Sequence, residues 1–137
     1  MHREQDCIFC DIVVGEAPAD CVFEDERTLA FMDAHPKEPG HVLVIPKGHA
    51  AMIYDLDDEA AAAVAQTVVR VARGIREALA PPGLSVIQSN GRVARQVIMH
   101  VHFHLIPRGM ENPQPGRTAE ERQALAERIR AAIEAAR

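Results

Sequence analysis

Cysteine is scarce here: three residues in 137, an odd number, so no complete disulfide framework can hold the chain together. None is needed, because a chain of this length buries roughly two-thirds of the surface that its unfolded form exposes. No stretch approaches the ~20 apolar residues of a membrane span. The opening Met-His-Arg-Glu-Gln-Asp is polar with no apolar run behind it, unlike a secretory leader. The expectation is a reduced, cytoplasmic, soluble protein. Net positive charge is also missing: the formal balance is −5, which argues against a general nucleic-acid binder with its basic face. A single nucleotide stays possible, since a few local donors can hold a phosphate. There is no Gly-x-x-x-x-Gly-Lys-Ser/Thr loop and no Gly-x-Gly-x-x-Gly fingerprint, so ATP-coupled and nicotinamide chemistry have no support. No acidic cluster is suited to a catalytic magnesium. Tryptophan, internal repeats and low-complexity tracts are all absent.

What remains is an ordinary globular composition, with 47% hydrophobic and 26% charged residues. The length predicts one domain over 1–137. Residues 7–14 form a short apolar run that periodicity assigns to neither helix nor strand. Residues 21–24 and 28–33 read as a hairpin around Asp25-Glu26-Arg27. Val42-Leu43-Val44-Ile45 lacks alternation and reads as a central strand covered on both faces. Leu56, Ala60, Ala63, Val64, Val68, Val71, Ala72, Ile75 and Leu79 recur at three- and four-residue steps and predict a long helix ending at Pro81-Pro82-Gly83. A strand over 84–88 follows. After a Pro/Gly-rich connection over 108–117, Thr118 and Glu121 form a capping box. Leu125, Ile129 and Ile133 then form a thin apolar stripe, which predicts a surface helix.

The chemistry concentrates in His100-Val101-His102-Phe103-His104. In a strand closing at Pro107, residues two apart share a face, so three imidazoles would line one side, ~7 Å apart at Cα, while Val101, Phe103 and Leu105 enter the core. Such a row can be a set of satisfied polar groups, a three-histidine metal site, or an imidazole nucleophile with two helpers. Cys7-x-x-Cys10 has three readings of its own: a metal knuckle, a redox pair or two buried thiols. No thioredoxin-like pattern surrounds it. Cys21 reads as a small buried hydrophobe.

The histidine string, with Leu105 and Ile106, resembles the signature of the histidine triad (HIT) family. Cys7-Ile8-Phe9-Cys10, Phe23-Glu24-Asp25-Glu26, Phe31-Met32-Asp33, Pro39 to Lys47, His49, Asn90-Gly91, Gln96 and Ile106-Pro107-Arg108 resemble that family in the same order, over about residues 7–108. The resemblance implies an α+β fold: an antiparallel sheet of about five strands, one long helix, a short N-terminal helix, and a C-terminal loop and helix over 109–137. It further implies a homodimer whose sheets adjoin.

By the same resemblance, the protein is a nucleotide hydrolase acting at an α-phosphate. His102 would be the nucleophile, His104 a donor to a phosphate oxygen, and Gln96 a contact to the phosphate or the leaving group. Asp33 would accept from the ribose hydroxyls, and Asn90 would lie near the ribose or phosphate. Ile8, Phe9, Ile12 and Phe31 would flank the base, and His41 would orient the triad. From the residues alone, Asp33 reads as a turn aspartate and Asn90 and Gln96 as turn and loop polarity, while the four apolar residues are equally ordinary core and His41 is alternatively a buried structural histidine. Cys7, Cys10, His49 and His100 match positions that bind structural zinc in cysteine-containing members. The implied substrate is a purine nucleotide, foremost an adenosine 5′-phosphoramidate. A dinucleoside polyphosphate hydrolase and a nucleotide-binding regulatory protein are the alternatives. The sequence departs from the family at Arg95, where a small residue is usual, at Val97, where Ser or Thr is common, and in lacking the tryptophan-containing tail of the phosphoramidase branch.

Overall fold

The run Thr28–Met32 and the run Val42–Pro46 are buried at every position, so these strands must be covered on both faces. The computed structural model, which describes residues 3–112 and 115–136, shows how. Helix α1 spans Ile8–Val13, followed by strands β1 (Cys21–Glu24), β2 (Thr28–Met32) and β3 (Val42–Pro46). Helix α2 (Asp58–Leu79), strands β4 (Gly83–Gln88) and β5 (Phe103–Arg108), and helix α3 (Ala119–Ala135) complete the chain. The five strands form one antiparallel sheet in the order β1-β2-β3-β5-β4. This is the expected α+β architecture. Among the described residues, no helix is long and apolar enough to cross a membrane.

Period-two alternation sorts the central strands between two cores. Ala30, Met32, Val42, Val44 and Leu105 meet Val64, Val71 and Ile75 of α2. Leu29, Phe31, Leu43 and Ile45 point the other way and pack with Cys7, Phe9 and Cys10 around α1. The run over 7–14, undecided by periodicity, becomes helical because the Cys7 side chain caps it by accepting from Cys10 N–H. His104 pairs with Leu43 in the ladder, so it shares the α1 face.

One expectation is extended and one corrected. Helix α3 lies on the surface with most of its residues exposed, as its thin stripe predicts, and that stripe, Leu125, Ala126, Ile129 and Ile133, is buried in the larger core. Gly74 of α2 permits this, since a Cβ there would stand 2.4 Å from Ile133 Cγ1. A narrow stripe of side chains is enough when the facing helix offers a bare backbone.

The histidine strand is also displaced. It starts at Phe103, where pairing with both Val44 and Gln88 begins, and runs through Pro107 to Arg108. Pro107 lies past the end of the β3 pairing at Leu105 and pairs only with Leu84 of β4. His100 and His102 precede the strand, in a segment held by Val101 N–H donating to Ala50 O at 2.7 Å. Val101 and Leu105 are fully buried as expected, with Phe103 partly so. The imidazoles do not form one row; they divide between two clusters.

Candidate active site and metal centre

The first cluster gathers Cys7, Cys10, His49 and His100, whose candidate ligand atoms lie within 4.8 Å of one another. Cys7 Sγ is 3.3 Å from His100 Nδ1, while Cys10 Sγ is 3.4 Å from His49 Nδ1 and 3.6 Å from His100 Nδ1. A tetrahedral zinc with Zn–S ≈ 2.3 Å and Zn–N ≈ 2.0–2.1 Å sets neighbouring S and N ligands about 3.5 Å apart. The donor set therefore has the chemistry and spacing of a closed structural zinc site.

Its surroundings agree. His100 Nε2 lies 2.8 Å from Pro46 O, and a carbonyl can only accept, so Nε2 carries the ring proton and Nδ1 turns a lone pair toward the thiols. Burial pushes the His100 pKa down to about 4, which keeps the ring neutral. Cys10 N–H points at Cys7 Sγ and Glu4 N–H at Cys10 Sγ, donors that suit thiolates. Burial pushes the Cys7 thiol up to about 11, so it needs a cation to hold it as thiolate at neutral pH. Cys21 lies apart, half-buried, with its thiol also raised by burial.

The second cluster holds His102, His104, His41 and Asp33. His102 Nδ1 is 2.7 Å from the carbonyl oxygen of His100. The proton must again lie on the nitrogen facing the carbonyl, so Nε2 is the bare nitrogen. Burial lowers the His102 pKa below its ordinary value, so the ring is neutral at pH 7. Phe9 packs edge-on against it, with ring centroids 5.2 Å apart, and also against Phe31 and His100.

The protonation of the other two rings follows from one backbone donor. Lys37 N–H points at His41 Nδ1 at 3.1 Å, so that nitrogen must accept. His41 Nε2 then carries the proton and faces His104 Nδ1 at 3.0 Å and Asp33 Oδ2 at 3.4 Å. His104 Nδ1 accepts in turn, which leaves the His104 proton on Nε2 as a donor. Burial brings His41 down to about 4 against the opposing pull of Asp33, and it lowers His104 as well, aided by His102. Asp33, His41 and His104 also stand close enough to suggest a metal site. The proton on His41 Nε2 argues against it, because a metal there would turn Nδ1 into a donor facing the Lys37 donor.

The remaining expected residues are placed as follows. Asp33 leaves β2 directly, with Oδ1 accepting from His35 N–H at 2.8 Å. Phe9 and Phe31 are buried beside the triad face; Ile12 packs partly against the same cluster, and Ile8 is 46% exposed. Gln96 is buried, its Oε1 accepting from Gly91 N–H and its Nε2 donating to Ala51 O and Ile98 O. Asn90 exchanges two bonds with Gln88, and its Oδ1 accepts from Ile53 N–H. Both amides thus brace the loop between β4 and β5. Sequence reasoning missed the groups that set the tautomers, Lys37 N–H and Pro46 O. They are backbone atoms, which leave no trace in residue identity.

Comparison with known proteins agrees with this geometry. Residues 14–111 match the HIT domain family model. The chain is 41% identical over 134 residues to the adenosine 5′-monophosphoramidase of Schizosaccharomyces pombe, covering 93% of this chain and 98% of that one. A HIT-like protein involved in cell-cycle regulation from Bartonella henselae superposes with a TM-score of 0.86 at 36% identity, over 96% of this chain and 99% of the other. A zinc-bound histidine triad family protein from Mycobacterium smegmatis superposes at 0.85 and 34% identity, over 96% and 95%. The chain belongs to the HIT family.

Proposed function

We propose that this protein is a nucleotide hydrolase acting at an α-phosphate through a covalent nucleotidyl-His102 intermediate. The observation that carries this is the 2.7 Å bond from His102 Nδ1–H to the His100 carbonyl, which fixes Nε2 as a bare, neutral nucleophile. Nε2 attacks phosphorus in line. The P–N bond to the leaving amine breaks as the P–Nε2 bond forms, and the amine takes a proton from solvent water as it departs. Water then cleaves the P–Nε2 bond, giving a nucleoside monophosphate and free imidazole. His104 Nε2–H donates to a non-bridging oxygen as negative charge builds there. The His41 Nε2–H···Nδ1 bond keeps that donor aimed outward.

Adenosine 5′-phosphoramidates are the substrates we favour, in line with the activity named for the Schizosaccharomyces pombe relative. Phe9, Phe31, Ile8 and Ile12 offer the base an apolar wall, and Asp33 offers the ribose hydroxyls acceptors. Gln96 and Asn90 serve by holding the adjacent loop and its backbone donors. Cys7, Cys10, His49 and His100 hold zinc, which when bound neutralises the thiolates and ties α1 to the segment carrying His102. A homodimer joined along β4 suits its edge position and the exposure of Val86 and Ile87. The dinucleoside polyphosphate reading keeps one supporting feature: the exposed side chain of Arg95, next to Gln96, makes no hydrogen bond or ion pair among the described residues and could meet extra phosphates.

The test is AMP release from adenosine 5′-phosphoramidate and diadenosine tetraphosphate by the native protein and by His102→Asn. Turnover abolished in a folded variant supports the nucleophile, and the faster substrate identifies the branch. Tight nucleotide binding with no turnover by the native protein would overturn the hydrolase reading.

A further inference from the structure

The segment just ahead of α3 reaches back toward the catalytic histidines through a chain of contacts that begins at Arg117. One guanidinium nitrogen donates to Pro36 O at 2.8 Å and the other to Lys37 O at 3.2 Å. Lys37 is the residue whose N–H fixes His41 Nδ1 as an acceptor. His41 then donates from Nε2 to His104.

Arg117 is itself held. Its N–H donates to Glu121 Oε1, within the capping box of α3, and its carbonyl accepts from Arg122 at 2.6 Å. Gly116 lies against the same loop: a Cβ there would stand 3.1 Å from Pro39 Cα and 2.5 Å from Leu125 Cδ1. Helix α3 is anchored in the larger core by four buried residues. The loop between β2 and β3 therefore has a fixed support outside its own strands. Its internal backbone–backbone bonds, Asp33 N–H to His41 O and His41 N–H to Glu38 O, close the loop on itself without engaging the Pro36–Lys37 peptide, which Arg117 holds from one side and His41 Nδ1 from the other.

We propose that Arg117 is a positioning residue for the reaction: by clamping the Lys37 peptide it selects the His41 tautomer that keeps His104 a phosphate donor. The proposal rests on the hydrolase reading for its kinetic consequence, though not for its structural one. A lysine can supply one of the two bonds, but not the fork that spans consecutive carbonyls. The clamp acts on the transition state, where His104 donates, more than on ground-state binding.

The experiment compares the native protein, Arg117→Ala, Arg117→Lys and Thr118→Ala. Long-range ¹⁵N–¹H spectra of the imidazoles report the tautomers, and AMP release from adenosine 5′-phosphoramidate reports kcat and KM. In Arg117→Ala we expect His41 and His104 to become tautomer mixtures, with kcat down roughly tenfold and KM changed less than about threefold. Arg117→Lys should fall between. Thr118→Ala removes the helix cap and lowers Tm but should leave both tautomers unchanged. A folded Arg117→Ala protein with native tautomers would overturn the proposal. So would an equal tautomer shift in Thr118→Ala, which would reduce the effect to general destabilisation. If the native protein releases no AMP, the hydrolase reading fails while the tautomer comparison still decides the role of Arg117.

Discussion

His100 and His102 are separated by one residue, yet they face different surroundings. Each is buried, and each has one ring nitrogen bonded to a backbone carbonyl, so each presents a single bare nitrogen. What differs is which nitrogen is bonded and what faces the other. His100 gives Nε2–H to Pro46 and turns Nδ1 to two thiols; His102 gives Nδ1–H to His100 and leaves Nε2 bare. The lesson is that a histidine's role is set by the partner of its second nitrogen. The same rule explains why His41 and His104, although close, form a hydrogen-bond relay and not a metal site.

Substitutions can break this contrast in opposite directions. The largest effect is expected for His102→Asn, which should lower AMP release by at least ~10⁴-fold while zinc content and Tm stay native. Next is His104→Ala, which removes a donor to the developing phosphate charge and should cost about 10²–10³-fold in kcat with zinc again retained. His49→Ala reverses the pattern. Metal analysis should show zinc lost, and calorimetry should show Tm lower by roughly 5 °C or more, while the folded fraction loses no more than about tenfold in rate.

The smallest effect concerns pH. His41 has a pKa of about 4 in the fold against 6.5 as its ordinary value. Between those values the unfolded chain binds a proton that folded His41 refuses. The contribution of this group is therefore complete above pH 6.5 and is lost as pH drops toward 4. Urea unfolding at pH 4.5 and 7 should show a smaller difference for His41→Asn than for the native protein. An equal difference would place the proton elsewhere.

The fold was largely legible because its signals are dense. The long period of α2 and the unbroken apolar run of β3 each point to one kind of element. That the narrow stripe of α3 enters the larger core was not legible, because its close approach depends on Gly74, a residue on another helix whose contribution is an absent side chain. The histidine string was legible as chemistry but not as geometry. Alternation predicts one row, and pairing partners on β3 and β4 decide that the ladder begins only at Phe103. Cys7, Cys10, His49 and His100 were legible as a set only through family resemblance, since 93 residues separate Cys7 from His100. Which atoms set the tautomers was not legible, because Lys37 N–H, Pro46 O and His100 O belong to the backbone.

The central claim is that Nε2 of His102, and no other imidazole nitrogen, receives the nucleotidyl group. The most direct measurement is rapid quenching of the native protein with adenosine 5′-phosphoramidate, followed by mass spectrometric mapping of the adduct under alkaline conditions. An adenylyl group on the peptide carrying His102, absent in His102→Asn, is the expected result. AMP release without any adduct, or an adduct mapped to His100 or His104, would contradict it.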